Sequence, residues 1–595
     1  MTAEARANET LQRDLSAWKN VFLTGLLFAG VAFYVTLVGI VGTFEERNLI
    51  EDVVTLGEAI LLLLAVLAGY AGARRAPEGM LNKVVGSAIA GFLAGAALSI
   101  LVLVGPELDL RQYLPEASPK LYELLSADQG SAGFWVPMLT GVSLGAVGGI
   151  VYLLPKTARR LLILVVGTLL VMGLFSNILR APWLQQDLLE GLARTLFSSK
   201  GLTITGAIVV AGIVVLIYIA WVLFKPAQRV KQVPDKQKKQ AAIPMSVVLL
   251  IIVLLIPLPA TMAGLPNLFS LGPFVASAVA LIALYVLMGL GLNITLGLAG
   301  LLDLGFVAFF AVGAYTVGLL TSPGEFGLFN LPFWFAIPFA IAAAMAFGLI
   351  LGLPLLGIRG DYLAIATLAF GEIIAIMARS DVLKPYIGGP QGILNIPKPV
   401  EVPPGDPLSG PVQIYYIALV CAAVIAFVAY RLRDSRLGRA WLAIREDEDV
   451  AEALGINLVQ TKSLAYMLGA AFAGLGGAVY AALFGAILPS AININVSILV
   501  VCVIIIGGMG SIPGVVLGAI FIIGLPELFR EFSEYRFLMY GIALILVMHW
   551  RPEGLIPSRV GRQELRADEN VPEGEPPPDP PAGAGTEAAS AEGSS

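Results

Sequence analysis

A chain of 595 residues with 57% hydrophobic and only 13% charged side chains is not a soluble globular protein, in which charged residues make up about 25%. The charges sit in short clusters between apolar runs, so the formal net charge of -5 says little about partners, and no nucleic acid is expected among them. Cys421 and Cys502 each lie inside an apolar run; two are too few for a disulfide framework or a zinc site, and they read as packing residues.

Residues 1–20 are polar and mixed in charge, and no small-residue cleavage site follows the first apolar run, so that run reads as an uncleaved span. Runs long enough to cross a bilayer fall near 21–43, 53–73, 84–104, 135–154, 161–178 and 203–224. After a polar break they resume near 245–263, 273–290, 304–320, 332–354, 361–378, 413–430, 463–486, 495–508, 514–526 and 537–550. The sequence therefore predicts an all-α integral membrane protein of about sixteen transmembrane helices, with a broken or re-entrant pair possible among the short last three. Basic clusters alternate with acidic ones in step with these runs. Arg74, Arg75 and Lys83 precede the third run, Lys156, Arg159 and Arg160 the fifth, and Arg551, Arg559 and Arg562 follow the last, while Glu45, Glu46, Glu51 and Glu107 occupy intervening loops. By the positive-inside rule both termini face the cytoplasm.

The basic stretch 225–244 divides an N-terminal membrane extension of about six spans (1–243) from a core of about ten (245–558). It reads as a positive-inside anchor, with contact to surface lipid as the alternative. Residues 559–595, rich in Pro, Gly, Ala, Ser and acidic side chains, cannot bury a core and read as a disordered cytoplasmic tail.

Catalytic machinery is missing from the sequence. The single histidine, His549, sits beside Trp550 and Arg551 as an interfacial anchor. No phosphate-cradling G-x-x-x-x-G-K-[ST] loop occurs, and no His, Cys or carboxylate cluster has metal-ligand spacing. Neither an enzyme nor a cofactor is expected. The 65 glycines are concentrated within spans. In the stretch 289–300, Gly297 and Gly300 allow close helix approach or a backbone break lining a cavity, and Asn293 and Thr295 place polar groups at membrane depth. Close packing and a pathway role both fit; Gly474, Gly476 and Gly477 read as packing alone. A carboxylate at membrane depth must be paired, protonated or wet, which makes Glu58, Asp303 and Glu372 functional candidates. For Asp303 the alternative is an N-cap of the next helix, and for Glu372 a structural hydrogen bond. On the cytoplasmic side, Arg439 to Leu454 reads as one short amphipathic helix with Gly455 at its C′ position, either a solvated connector or a docking element.

The stretch from Gly438 through Glu448 and on through Glu452-Ala453-Leu454-Gly455 to Asn457 resembles the cytoplasmic coupling loop of permeases in ABC importers, more narrowly the LivM type of branched-chain amino acid permease. Residues 360–374, the glycine-rich stretch 507–514, and 534–536 leading into 550–557 agree in order and spacing, and together the likeness covers about 270–558. What it implies is a two-permease channel energised by two separate ABC ATPase subunits and fed by a periplasmic or lipid-anchored substrate-binding protein, in the bacterial inner (plasma) membrane. Carried over, Arg439, Arg445, Glu446, Asp447, Glu452, Ala453 and Gly455 would form the ATPase-coupling loop. Gly507, Gly508 and Gly510 join Asn293, Thr295, Gly297, Gly300, Asp303 and Glu372 as candidate pathway residues. Branched-chain amino acids are the expected solute. Urea or a short amide carried by the same kind of machine, and an ion-coupled secondary transporter, are the alternatives. Residues 1–240 carry no motif of this likeness.

Overall fold

Hydrocarbon offers the backbone no hydrogen-bond partner, so long apolar runs must satisfy their own amides as helices. The computed structural model describes residues 3–105, 118–223, 272–400, 410–528 and 535–557, apart from positions 46, 52, 128, 175, 177–179, 181–186, 199–200, 356 and 359. Among the described residues, 10 helices are long and apolar enough to cross a membrane, and five shorter apolar helices of 10–17 residues accompany them. Together they take up every predicted run except 245–263, which lies outside the described residues, as do 225–244 and 559–595. The chain is an all-α membrane protein. Its described residues fall into two units, divided within 224–271.

The first unit runs through α1 (Ala3–Leu37), α2 (Leu56–Arg75), α3 (Met80–Val104), α4 (Pro119–Ser126), α5 (Trp135–Leu153), α6 (Lys156–Leu174), α7 (Asp187–Leu196) and α8 (Ile204–Leu223). A two-stranded antiparallel ribbon, β1 (Asn48–Ile50) with β2 (Val54–Thr55), precedes α2. Glu58 belongs to the first turn of α2. Its carboxylate accepts from the Thr55 N–H at 2.9 Å while the Thr55 hydroxyl accepts from the Glu58 N–H, a reciprocal cap. Helices α3 and α5 meet glycine to glycine. A Cβ on Gly91 would stand 2.1 Å from the Gly141 carbonyl oxygen, and one on Gly95 2.2 Å from that of Pro137. Two G-x-x-x-G registers, 91–95 and 141–145, thus bring the backbones together, as small residues do between helices in lipid.

The second unit comprises α9 (Gly272–Leu292), α10 (Val307–Thr321), α11 (Phe333–Leu355), α12 (Asp361–Arg379), α13 (Pro411–Arg433), α14 (Arg436–Glu446), α15 (Glu448–Ala453), α16 (Leu458–Phe484), α17 (Ile494–Gly507), α18 (Ile512–Ala519) and α19 (Arg536–Trp550). The long α16 is its axis, packed against α9, α10 and α11. Close approach again rests on glycine, since a Cβ on Gly477 would meet the Phe310 carbonyl oxygen at 2.1 Å and one on Gly474 the Ala344 methyl at 2.4 Å. The packing role expected for these glycines holds.

The single amphipathic helix expected over 439–454 is two helices. Asp447 is extended (φ -157°), and its carboxylate accepts from the Asp449 and Val450 N–H groups at 2.9 and 3.0 Å. An aspartate that can cap favours a new helix start over continuation. Gly455 takes the predicted C′ position at φ +86°.

Candidate functional site

Helix α9 does not end cleanly. It passes into a π-helical turn, Asn293–Leu298, and then into non-helical backbone over 299–306 before α10 begins. A π-turn inserts an extra residue and is often found at functional sites. Here it aims Asn293 away from its own helix. The side-chain carbonyl accepts from the Gly510 N–H at 2.8 Å. Gly297 makes room for that bond, because a Cβ there would lie 2.2 Å from Asn293 Oδ1. Gly300 then turns the chain at φ +71°, a conformation glycine adopts without steric cost.

Non-helical backbone is tolerated at membrane depth only where protein satisfies it. Three side chains do so. The Leu304 N–H donates to Thr367 Oγ1 of α12 at 3.0 Å, the Val307 N–H to Ser497 Oγ of α17 at 3.0 Å, and the Gly305 N–H to Asp303 Oδ1 at 2.9 Å. Asp303 therefore closes a turn of its own and does not cap α10, whose N-cap position is Phe306 with no side-chain bond. Its carboxylate is only 1% exposed, and Oδ2 has no hydrogen-bond partner among the described residues. The buried Tyr466 hydroxyl of α16 is in the same position and lies within electrostatic reach of Asp303. Thr295 donates its hydroxyl to the Leu292 carbonyl, a local bond within the helix.

The connection 508–511 joins the break from the other side. Gly508 and Gly510 hold positive φ values of +118° and +74°, and Gly507 lies against Gly514 where α17 meets α18. The last carbonyls of α17 are not left orphaned. Ile506 accepts from the Leu555 N–H at 2.8 Å and Gly507 from the Ile556 N–H at 2.9 Å, which explains why the sequence returns here after α19.

Helices α14 and α15 lie against this end of the unit. Trp441, fully buried, donates its indole N–H to the Thr461 carbonyl at 2.8 Å, and Lys462 of α16 pairs with Glu448 at 2.7 Å. Arg445 turns inward. Its guanidinium donates to the Gly297 carbonyl at 3.0 Å, and its stem packs on Gly300. Glu446, Asp447, Glu452, Ala453 and Gly455 are exposed, as is Arg439, which donates to the Asp434 carbonyl at 3.1 Å. Val450 and Leu454, read as apolar residues of an amphipathic helix, are 55% and 76% exposed.

Asn293, Gly297, Gly300, Asp303, Gly510 and Arg445 are thus brought together, with Gly507 and Gly508 tied in through the segment 551–557 that follows α19. Glu372 stands apart, half-buried on α12, although its neighbour Gly371 packs on Gly305. Thr367, Ser497, Trp441 and Tyr466 were not singled out as site residues. Thr367 lies inside the stretch 360–374 that carries part of the likeness.

The segments that converge here also carry the similarity to known proteins. A family model described as "Branched-chain amino acid transport system / permease component" matches residues 274–548. The high-affinity branched-chain amino acid transport system permease protein LivM of Escherichia coli (strain K12) is 39% identical over 313 residues, which is 49% of this chain and 72% of the relative. The chain belongs to the LivM-type permease family. The LivM protein of Salmonella typhimurium is 38% identical over 308 residues, 48% of this chain and 70% of the relative. LivH of Escherichia coli (strain K12), a permease protein of the same kind of transport system, is 33% identical over 146 residues, 24% of this chain and 45% of the relative. No solved structure matches the chain. In this LivM-type permease the family match spans the helix break, α14 and α15, and α17 to α19, while residues 1–273 lie outside it.

Proposed function

We propose that the chain is a translocation-pathway subunit of an ATP-driven importer of branched-chain amino acids in the bacterial inner (plasma) membrane. It works beside a second permease, with two separate ATPase subunits and a periplasmic or lipid-anchored binding protein. The observation that carries this reading is the double attachment of α14 and α15. Outwardly they present Val450 and Leu454 among the exposed carboxylates Glu446, Asp447 and Glu452, a surface suited to a soluble partner. Inwardly Arg445 grips the backbone of the helix break. Displacement of α14 by a partner would be felt at Gly297 and passed through Asn293 to Gly510. An ATPase that binds the two arrangements with different affinity would then shift the pathway between outward- and inward-facing states. The names of the relatives support branched-chain amino acids as solute, and the LivH match supports a second, related permease.

The test is reconstitution in liposomes. With all partners present, leucine uptake should require ATP, and the chain alone should give none. Uptake driven by an ion gradient without ATPase subunits would overturn the proposal.

A further inference from the structure

At the end of the second unit remote from α14 lies a cavity of about 390 Å³ with an unusual mixture of walls. Leu281 of α9, Leu499 of α17 and Ile523 supply aliphatic surface, while Glu527, Arg536 and Tyr540 supply charge and a phenol. Its place follows from chain direction. Leu281 precedes Gly297, which touches Arg445, by sixteen residues, a helical rise of roughly 24 Å. Leu499 lies in the first half of α17 and Tyr540 in the first half of α19, whereas the far ends of both helices meet through the turn segment 551–557.

We infer that this cavity is a binding site for the zwitterion of an aliphatic α-amino acid, with Glu527 facing the ammonium, Arg536 the carboxylate, and Leu281, Leu499 and Ile523 the side chain. Its size is at the small end of ligand pockets, suited to a single amino acid. A guanidinium matches a carboxylate in fork geometry, and a carboxylate accepts from an ammonium with charge assistance. Glu527 and Arg536 enter from different helices, and the Tyr540 phenol is within electrostatic reach of both. Both charged side chains are already engaged by protein groups, so entry of the zwitterion is an exchange of partners. A structural ion pair between helix ends would need no cavity of this volume beside it. The inference rests on the proposed function and names a residence for the solute on its way through.

The test uses the full chain in nanodiscs with tritiated L-leucine, competed by 4-methylpentanoate, which lacks the ammonium, and by 3-methylbutylamine, which lacks the carboxylate. Leucine should bind saturably, and each analogue should compete at least about tenfold more weakly, as loss of one charge-assisted contact implies. Glu527→Gln should weaken leucine about tenfold and erase its advantage over 4-methylpentanoate, and Arg536→Gln should do the same for 3-methylbutylamine. Competition by either analogue as strong as that of unlabelled leucine on the unmodified chain, or no saturable binding, would overturn the inference without recourse to any variant. So would recovery of leucine binding in the double exchange Glu527→Arg with Arg536→Glu, the signature of a structural pair. Leucine uptake by the complete importer is measured in parallel. Intact uptake with no site binding removes this inference alone, whereas absent uptake removes the proposed function.

Discussion

Arg445 separates two demands that one basic residue in a short helical connection can meet, contact with a soluble partner and grip on the helices beside it. Its guanidinium is spent on the Gly297 carbonyl, so truncation should act on transmission more than on docking. Arg445→Ala in the reconstituted importer is expected to raise the ATP hydrolysed per leucine on the order of tenfold, the scale of a lost charged hydrogen bond. Unchanged stoichiometry would show the bond to be ornamental. Asn293 is the next link, and its partner is a buried backbone amide. Asn293→Leu leaves the Gly510 N–H unsatisfied and should cost about 1–3 kcal/mol of stability, read from the thermal unfolding midpoint in nanodiscs. Asp303 offers a sharper division. Its amide counterpart can still accept from Gly305, so Asp303→Asn keeps the turn and removes a buried carboxyl group whose second oxygen is unmatched among the described residues. Stability should not fall, because the carboxyl that is replaced is itself buried with an oxygen that lacks a partner among the described residues. Uptake should fall if the ionisable carboxyl serves the pathway, and unchanged uptake would leave Asp303 a turn-forming residue.

At the scale of elements, the close helix contacts are the most exposed to test. Gly91→Leu should drive a side chain into the Gly141 carbonyl and destabilise the first unit by at least about 1–3 kcal/mol. Gly167→Leu, where nothing lies within 4 Å of the added atom, should change stability by less than about 0.5 kcal/mol. Equal effects would mean that α3 and α5 do not pack through these glycines. This contact was legible in principle, since glycines four apart in two apolar runs are a packing signal. It went unread because the first unit carries none of the family's motifs. The spans themselves were plain from hydropathy, since nothing but a helix satisfies such backbone in lipid. The division at Asp447 was not, because an amphipathic pattern continues through it and only the capping bonds of its carboxylate show that the backbone turns there. The break after Asn293 was half visible. Its glycines left packing and pathway equally open, and the deciding partners, Thr367, Ser497 and Gly510, lie 63 to 217 residues away in the chain. Polar contacts of that range leave no local periodicity to read.

For the whole molecule the question is what the first unit adds. The family match begins at residue 274, and the residues from 272 onward bury their own core, with Trp441, Phe306 and Leu287 all at 0% exposure and Tyr466 at 2%. Each hydrogen bond that defines the helix break and the Arg445 grip is also made within that part. Nothing in the proposed transport step therefore draws on residues 1–223. A chain lacking residues 1–240 is expected to insert in the membrane, to assemble with its partners and to carry leucine at a rate within about threefold of the full chain, a change of less than about 1 kcal/mol in the limiting barrier. Insertion is checked by alkali-resistant membrane fractionation and transport by ATP-dependent uptake. Failure to insert would show that the two units form one packing entity. Insertion with uptake that no longer depends on ATP would instead make the first unit part of the energy coupling, a role that none of its described contacts suggests.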